Sequence, residues 1–323
     1  MRASYDAFVT SALFDAGGEA VFALGDGTVR FEGGAVQTAH DGAVLCAVSD
    51  PAGRGVLTGG DDGRVVLTRR DGTEALAEVP GRWIETVAAS PATGLFAFGA
   101  GRDLHVRDAK DSGFARVFSH DRSVSGIDFE AKGRRIAVAT YGGAVLRYAR
   151  IADQKPVKLN WAGSHIACLF SPDSKFLISS MQENQLHGWR LSDAKDMRMG
   201  GYPSKVKSMA FLSGGAFLAT AGAPGAVLWP FTGANGPMGK SAMEIGFDQS
   251  ALVTCVAALP GSDLLAAGLN DGRVWICDTV KERSETLKAE KGAPISALAI
   301  SADGRKVAWG DEGGDVGVDG HPF

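Results

Sequence analysis

Among the residues able to do chemistry, the run Ala234-Asn235-Gly236-Pro237-Met238-Gly239-Lys240-Ser241 has the form of a relaxed phosphate-binding loop ending in Gly-Lys-Ser. Such a loop works only where it opens a helix whose N-terminus faces the phosphates. Gly246 follows closely, then a strand-like Leu252-Val253-Thr254, so no helix of useful length fits and an enlarged loop accounts for the run. The six histidines show no i, i+4 pairing of a helical metal site, and no HExxH, GxSxG or EF-hand pattern occurs. Cys46, Cys168, Cys255 and Cys277 lack CxxC or Cys/His spacing and sit in apolar runs. They are expected to be small buried hydrophobes in a reducing compartment. No catalytic, metal-ligating or cofactor-binding residue is assigned, and the chain is expected not to be an enzyme.

Charge offers a different chemistry. The net charge of −4 over 323 residues argues against nucleic acid as the default partner. The charge is uneven, however: residues 121–210 carry 14 Lys/Arg against 8 Asp/Glu, between two acidic flanks. Arg134, Arg135, Arg147, Arg150, Lys155, Lys158, Lys195, Arg198, Lys205 and Lys207 dominate this sector. A one-signed patch steers association with an acidic protein partner; nucleic-acid binding there would show a steep salt dependence. Hydrophobic residues at 45% and charged residues at 22% describe a folded chain. Asp6 and Asp15 interrupt any N-terminal apolar core, and no later stretch approaches a membrane span, so a soluble cytoplasmic protein is expected.

The elements that must position these groups repeat. The turn Ser90-Pro91-Ala92-Thr93-Gly94 has echoes at Asp50-Pro51-Ala52-Gly53, Ser171-Pro172-Asp173-Ser174 and Ser301-Ala302-Asp303-Gly304. With the first turn residue as anchor, the series is Asp15, Asp50, Ser90, Glu130, Ser171, Leu212, Leu259 and Ser301, in steps of 35, 40, 40, 41, 41, 47 and 42 residues. Such a period marks a repeat architecture. Six residues before each anchor stand Val9, Val44, Ile84, Val124, His165, Val206, Val253 and Ile295, a β-branched column broken only by His165. A one-residue strand shift that brings Ile166 into the slot is the expected explanation, with a polar residue at the rim as the other. Two residues later every side chain is small, which suggests first strands converging on a crowded axis. A second apolar run follows each anchor. A hairpin column of Gly27, Gly63, Arg102, Gly143, Asn184, Gly225, Gly272 and Gly314 then leads to a third run.

Four antiparallel strands per unit of about 40 residues fit a propeller blade. The last unit lacks a fourth strand, which residues near Arg2–Phe8 are placed to supply. The expectation is one all-β β-propeller domain over residues 1–323. It has eight blades, with seven as the alternative if a first or last unit is degenerate, and it is closed by the N-terminal strand.

At this point the chain resembles the WD40-repeat family. That family places a His before the first strand, an Asp in the hairpin turn and Trp-Asp closing the third strand. His40 and His120 occupy the histidine column, Asp26, Asp62 and Asp271 the hairpin column, and Trp189 the tryptophan column; no unit carries the Trp-Asp pair. The resemblance implies that His40, Thr58, Asp62, His120, Asp271 and Trp189 are structural groups bonded within blades. It also implies a non-catalytic scaffold for protein–protein contacts, working as a monomeric platform or a complex subunit without cofactor. The alternative is a small-ligand or metal binder, or an enzyme, using the propeller channel. Candidate partner contacts lie in the segments that lead into first strands: Arg82, Trp83, Arg122, Trp161, His165, Tyr202 and Lys205, since interface hot spots favour Trp, Tyr and Arg.

Overall fold

The computed structural model describes residues 1–323, with 30 strands and a single helical turn, Ser213–Gly215. The strands form seven hydrogen-bonded sheets, six of four strands and one of six. The chain divides into two compact units: Met1–Leu24 with Gly200–Phe323, and Gly25–Met199.

In the unit Gly25–Met199, one sheet runs Val44–Ser49, Val56–Gly60, Arg64–Arg69, Gly72–Glu78, and the next Thr86–Ser90, Leu95–Ala100, Asp103–Asp108, Ala115–Ser119. The six-stranded sheet spans Gly126–Met199. Its strand Arg135–Tyr148 doubles back at Tyr141–Gly143, where Gly142 and Gly143 take φ of 92° and 138°, and Ala149 N–H donates to the Arg134 carbonyl at 2.9 Å. Its strand Val157–Phe170 pairs backward through Val157–Asn160 and Ser164, then forward through His165–Phe170. Two consecutive repeat units, anchored at Glu130 and Ser171, therefore share one sheet. The eight expected units therefore lie in seven sheets: these two keep separate antiparallel ladders, residues 126–164 and 165–199, joined through the one strand Val157–Phe170.

In the unit of Met1–Leu24 and Gly200–Phe323, Arg2–Ser4 is the outer strand beside Asp315–Gly320, with Ala3 opposite Val316. Arg2 reaches Asp319 at 2.7 Å and lies over the Trp309 ring, whose indole N–H donates to Asp319 at 2.8 Å.

Alternation within strands buries one layer of side chains between consecutive sheets. Leu57, Leu67, Ile84, Phe96 and Phe98 form one such layer, and Leu104, Val106, Val124, Ile136 and Val138 the next. Each such burial contributes about 1.5–3 kcal/mol. The layers are thin because small residues let backbones approach. A Cβ at Gly99 would sit 2.7 Å from Val124 Cγ1, and one at Gly126 would sit 2.7 Å from Ala167 Cα.

The His165 slot differs from expectation. A register shift follows Val9, Val44, His165, Val253 and Ile295 alike, so the bulge belongs to the repeat and does not move Ile166 into the column. His165 holds the same register as the β-branched residues, fully buried rather than at a rim. The bulged residues Thr10, Thr254 and Ser296 turn their hydroxyls to strand carbonyls, satisfying groups that the bulge frees.

The hairpin column has one misfit, Arg102, and Gly101 takes the positive φ of 61° in its place. At Gly63 the glycine is obligatory: φ is 82°, and a Cβ would meet the Val79 carbonyl oxygen at 2.5 Å. There the outgoing loop folds over the turn, with Val79 N–H donating to the Gly63 carbonyl. No helix is long and apolar enough to cross a membrane.

Candidate functional site

Polar groups fixed inside sheets come first, because they decide which predicted contacts remain available. His40 Nδ1 lies 2.9 Å from Asp62 Oδ1 and Nε2 lies 2.8 Å from Thr58 Oγ1. Facing a carboxylate, Nδ1 carries the proton. Burial works to raise the Asp62 pKa, but bonds from His40 and from the Arg64 and Asp41 amides hold it below the usual range. Asp271 is held low in the same way by Arg273 and Lys291 against its own burial. Trp189 is buried in the layer of Leu146, Leu159 and Leu177. These side chains bond and pack within the fold.

Three predicted partner contacts belong to the same class. His165 Nε2–H donates to the Trp161 carbonyl at 3.1 Å, while Nδ1 accepts from Ser179 Oγ at 2.7 Å. The Trp161 ring stacks on His187 at 3.9 Å, with the Arg198 guanidinium 4.9 Å from its centre. Tyr202 is buried, its hydroxyl 2.6 Å from Thr220 Oγ1 and accepting from Trp229 Nε1 at 2.6 Å. An exposed histidine or tyrosine anchor is thus corrected to a buried one at His165 and Tyr202, and Trp161 is half-covered by its stack. Lys205, in the other unit from Arg82 and Arg122, is half-buried.

Arg82, Trp83 and Arg122 do project to solvent, Trp83 with 62% of its surface exposed. Arg82 lies against the turn at Gly101. The same turn receives the next loop, since Val124 N–H donates to the Gly101 carbonyl at 2.8 Å and His120 N–H to the Arg102 carbonyl at 2.9 Å. Arg82 and Arg122 thereby approach one turn from consecutive loops.

Beside Arg122 opens a groove of about 410 Å³, lined by His120, Arg122, Tyr141, Arg147, Lys158 and Asn160 among others. Tyr141 is 64% exposed. Lys158 pairs with Asp121 at 3.0 Å. Arg147 has no carboxylate partner; its Nε donates to His120 Nε2 at 3.5 Å and its guanidinium lies over Phe118. Burial lowers the pKa of both Arg147 and His120, and for His120 the Arg147 charge adds to it. His120 Nδ1 is buried without a partner side chain or backbone group. The sequence places His120 in a structural column, but gives no sign of its contact with Arg147, 27 residues on. Elsewhere in the basic sector Arg135, Lys175 and Arg190 each meet a carboxylate at 2.6–2.9 Å.

Other chemistry-bearing groups are quiet. The run 234–241 opens no helix; Lys240 Nζ turns back onto Thr232 Oγ1 at 2.9 Å, and strand Met243–Ile245 follows. All four cysteines are free, and burial pushes the Cys46, Cys255 and Cys277 thiols up to about 12, so none is a ready nucleophile. No group of three or more His, Cys, Asp or Glu side chains converges as a metal site would. Asp128, absent from the sequence-based candidates, accepts from Phe170 N–H at 2.7 Å, and burial pushes its carboxyl to about 7.

Residues 33–68 match the family described as WD domain, G-beta repeat (WD40), and this span holds His40, Thr58 and Asp62. No curated protein matches the chain in sequence. Among solved structures, the computationally designed Ika8 protein is similar with a TM-score of 0.76 at 16% identity, over 98% of each chain. The RRP9 WD40 repeats are similar with a TM-score of 0.62 at 16% identity, over 84% of this chain and 88% of that one. These likenesses show the fold, an all-β propeller.

Proposed function

We propose that this WD40-type β-propeller is a non-catalytic platform that docks an acidic protein partner through the surface of Arg82, Trp83, Arg122 and the adjoining groove. The carrying observation is an unneutralised basic surface next to an exposed aromatic. Arg82, Arg122 and Arg147 meet no carboxylate within ion-pair distance, while Trp83 presents most of its ring to solvent. A solvated arginine without a partner costs nothing by itself. Arginines flanking an exposed tryptophan, however, form the residue set that supplies most interface binding energy, and charge complementarity speeds encounter. Residues 1–323 act in this reading as one domain, and the unpaired thiols suit the reducing cytoplasm.

The test compares wild type with a variant carrying Arg82→Glu, Trp83→Ala and Arg122→Glu, as baits for affinity capture from native cytosol at two salt concentrations. A protein held by wild type, released at high salt and lost by the folded variant supports the platform. Equal capture by both baits, or capture by neither, overturns it.

A further inference from the structure

The groove on the Gly126–Met199 sheet has a chemistry more specific than general basicity. Its charged lining is Arg122, Arg147, Lys158 and one acid, Asp121, with His120 neutral between them. The Lys158–Asp121 pair cancels, which leaves two guanidinium groups facing one space without a counter-ion. Arg147 is the informative member. It is half-buried and desolvated, and its only side-chain partners are an imidazole that is itself a poor counter-charge and the face of Phe118. A desolvated cation without a carboxylate is costly unless an anion completes it. Thr140 and Asn160 add neutral hydrogen-bonding groups to the same lining, and the volume falls within the roughly 300–1,000 Å³ of ligand clefts.

We propose that this groove binds a phosphoryl dianion carried on a serine or threonine of a partner protein segment, with Arg147 and Arg122 as its counter-charges and His120 positioning Arg147. The two unpaired guanidinium charges match a dianion better than the single charge of an Asp or Glu side chain, and planar guanidinium forks suit phosphate oxygens. His120 fixes the Arg147 Nε, so the guanidinium meets the ligand with part of its freedom already removed. The phosphoprotein source rests on the platform proposal; the anion site itself does not.

The test is a titration of isotope-labelled full-length protein with inorganic phosphate, with a penta-alanine peptide carrying a central phosphoserine, and with the same peptide carrying Glu instead. Backbone resonances of residues 119–122 and 140–147 and the His120 ring report occupancy. Saturable shifts confined to these residues are expected. The phosphopeptide should bind about tenfold or more tightly than the Glu peptide, and the His120 pKa should rise on binding because the dianion offsets Arg147. Arg147→Gln should lose this binding, Lys158→Glu, on an exposed side chain, should weaken it, and Arg283→Gln on another sheet should leave it unchanged. An unchanged near-ultraviolet spectrum certifies each variant as folded. Absence of phosphate-induced shifts, or binding indifferent to Arg147→Gln and Lys158→Glu, overturns the site. Phosphate binding that the phosphopeptide does not improve overturns the phosphoprotein assignment, and neither result alters the outcome of the capture experiment.

Discussion

His187 sets a stability limit on the acid side. Its ring is fully buried against Trp161, Trp189 and His165, and neither ring nitrogen has a hydrogen-bond partner. Burial lowers its pKa from 6.5 to about 4; Asp196, 3.7 Å from Nε2, pulls the other way, while His165 and Arg198 add to the fall. Between pH 6.5 and 4 the unfolded chain takes up a proton that the native ring refuses. This contribution is therefore intact above 6.5, is lost as pH falls through that window, and levels off below about 4. Fully developed it is worth roughly 3 kcal/mol, of which about 2 kcal/mol is gone by pH 5. His187→Phe keeps an aromatic against Trp161 and removes the titration. Urea unfolding of both proteins at pH 7 and pH 5 should show wild type losing about 2 kcal/mol more than the variant. Asp128 works in the opposite sense, since a carboxyl raised to about 7 holds a proton in the native state, and its effect cancels in the comparison. Equal losses in the two proteins would refute the assignment of an unprotonated, unpartnered His187.

Tyr202→Phe removes the acceptor of Trp229 and the partner of Thr220 in a buried site. It should cost about 1–3 kcal/mol in urea unfolding and shift the tryptophan fluorescence. Gly310→Ala places a Cβ 2.4 Å from Val9 Cγ1, where strand Lys306–Asp311 packs on strand Val9–Phe14. About 1–3 kcal/mol of overpacking is expected, read as a lower thermal midpoint. Trp83→Ala should leave stability within about 0.5 kcal/mol of wild type, because its ring is exposed, while reducing partner capture.

The strands are legible in the sequence because the constraints on them are local and recur. The β-branched column, the anchor turns and the hairpin glycines each answer to backbone geometry within one unit, and the outer position of Arg2–Ser4 follows from counting the incomplete last unit. The sharing of one sheet by two units is not local. It depends on the single strand Val157–Phe170 passing from one ladder, through Ser164, into the next, from His165. Nine residues after seven of the eight anchors stand Gly59, Gly99, Ala139, Ser180, Ala221, Gly268 and Gly310, a small-residue column broken only by Leu24 after the first. Its cause appears only in three dimensions: four of its glycines lie under the β-branched residue of the next first strand, Ile84, Val124, Ile295 and Val9. The groove is harder still, because its Arg147–His120 contact joins a strand residue to a loop residue with no sequence pattern between them.

The burial of His165 and Tyr202 has a common origin that the absent Trp-Asp pairs conceal. Eight residues after three of the anchors lies a hydroxyl: Thr58, Ser179 and Thr220. Each sits on a second strand and reaches a third-strand carbonyl, of Val66, His187 and Val227, at 3.2–3.3 Å. The hydroxyl's single proton goes to the imidazole at Thr58 and Ser179 and to the carbonyl at Thr220, and in a dry layer the group must be met. His40 meets it from the loop, His165 from the first strand, and Tyr202 from the loop with a longer reach and Trp229 behind it. The hydroxyl is the fixed element and its partner is free to change, provided that a donor or acceptor arrives within about 3 Å. A histidine meets such a hydroxyl from the loop only at Thr58, whereas the hydroxyl itself recurs in the second strands of three units. The same requirement removes His165 and Tyr202 from the surface, and leaves the proposed docking to side chains such as Trp83 and Arg122 that satisfy nothing within the sheets.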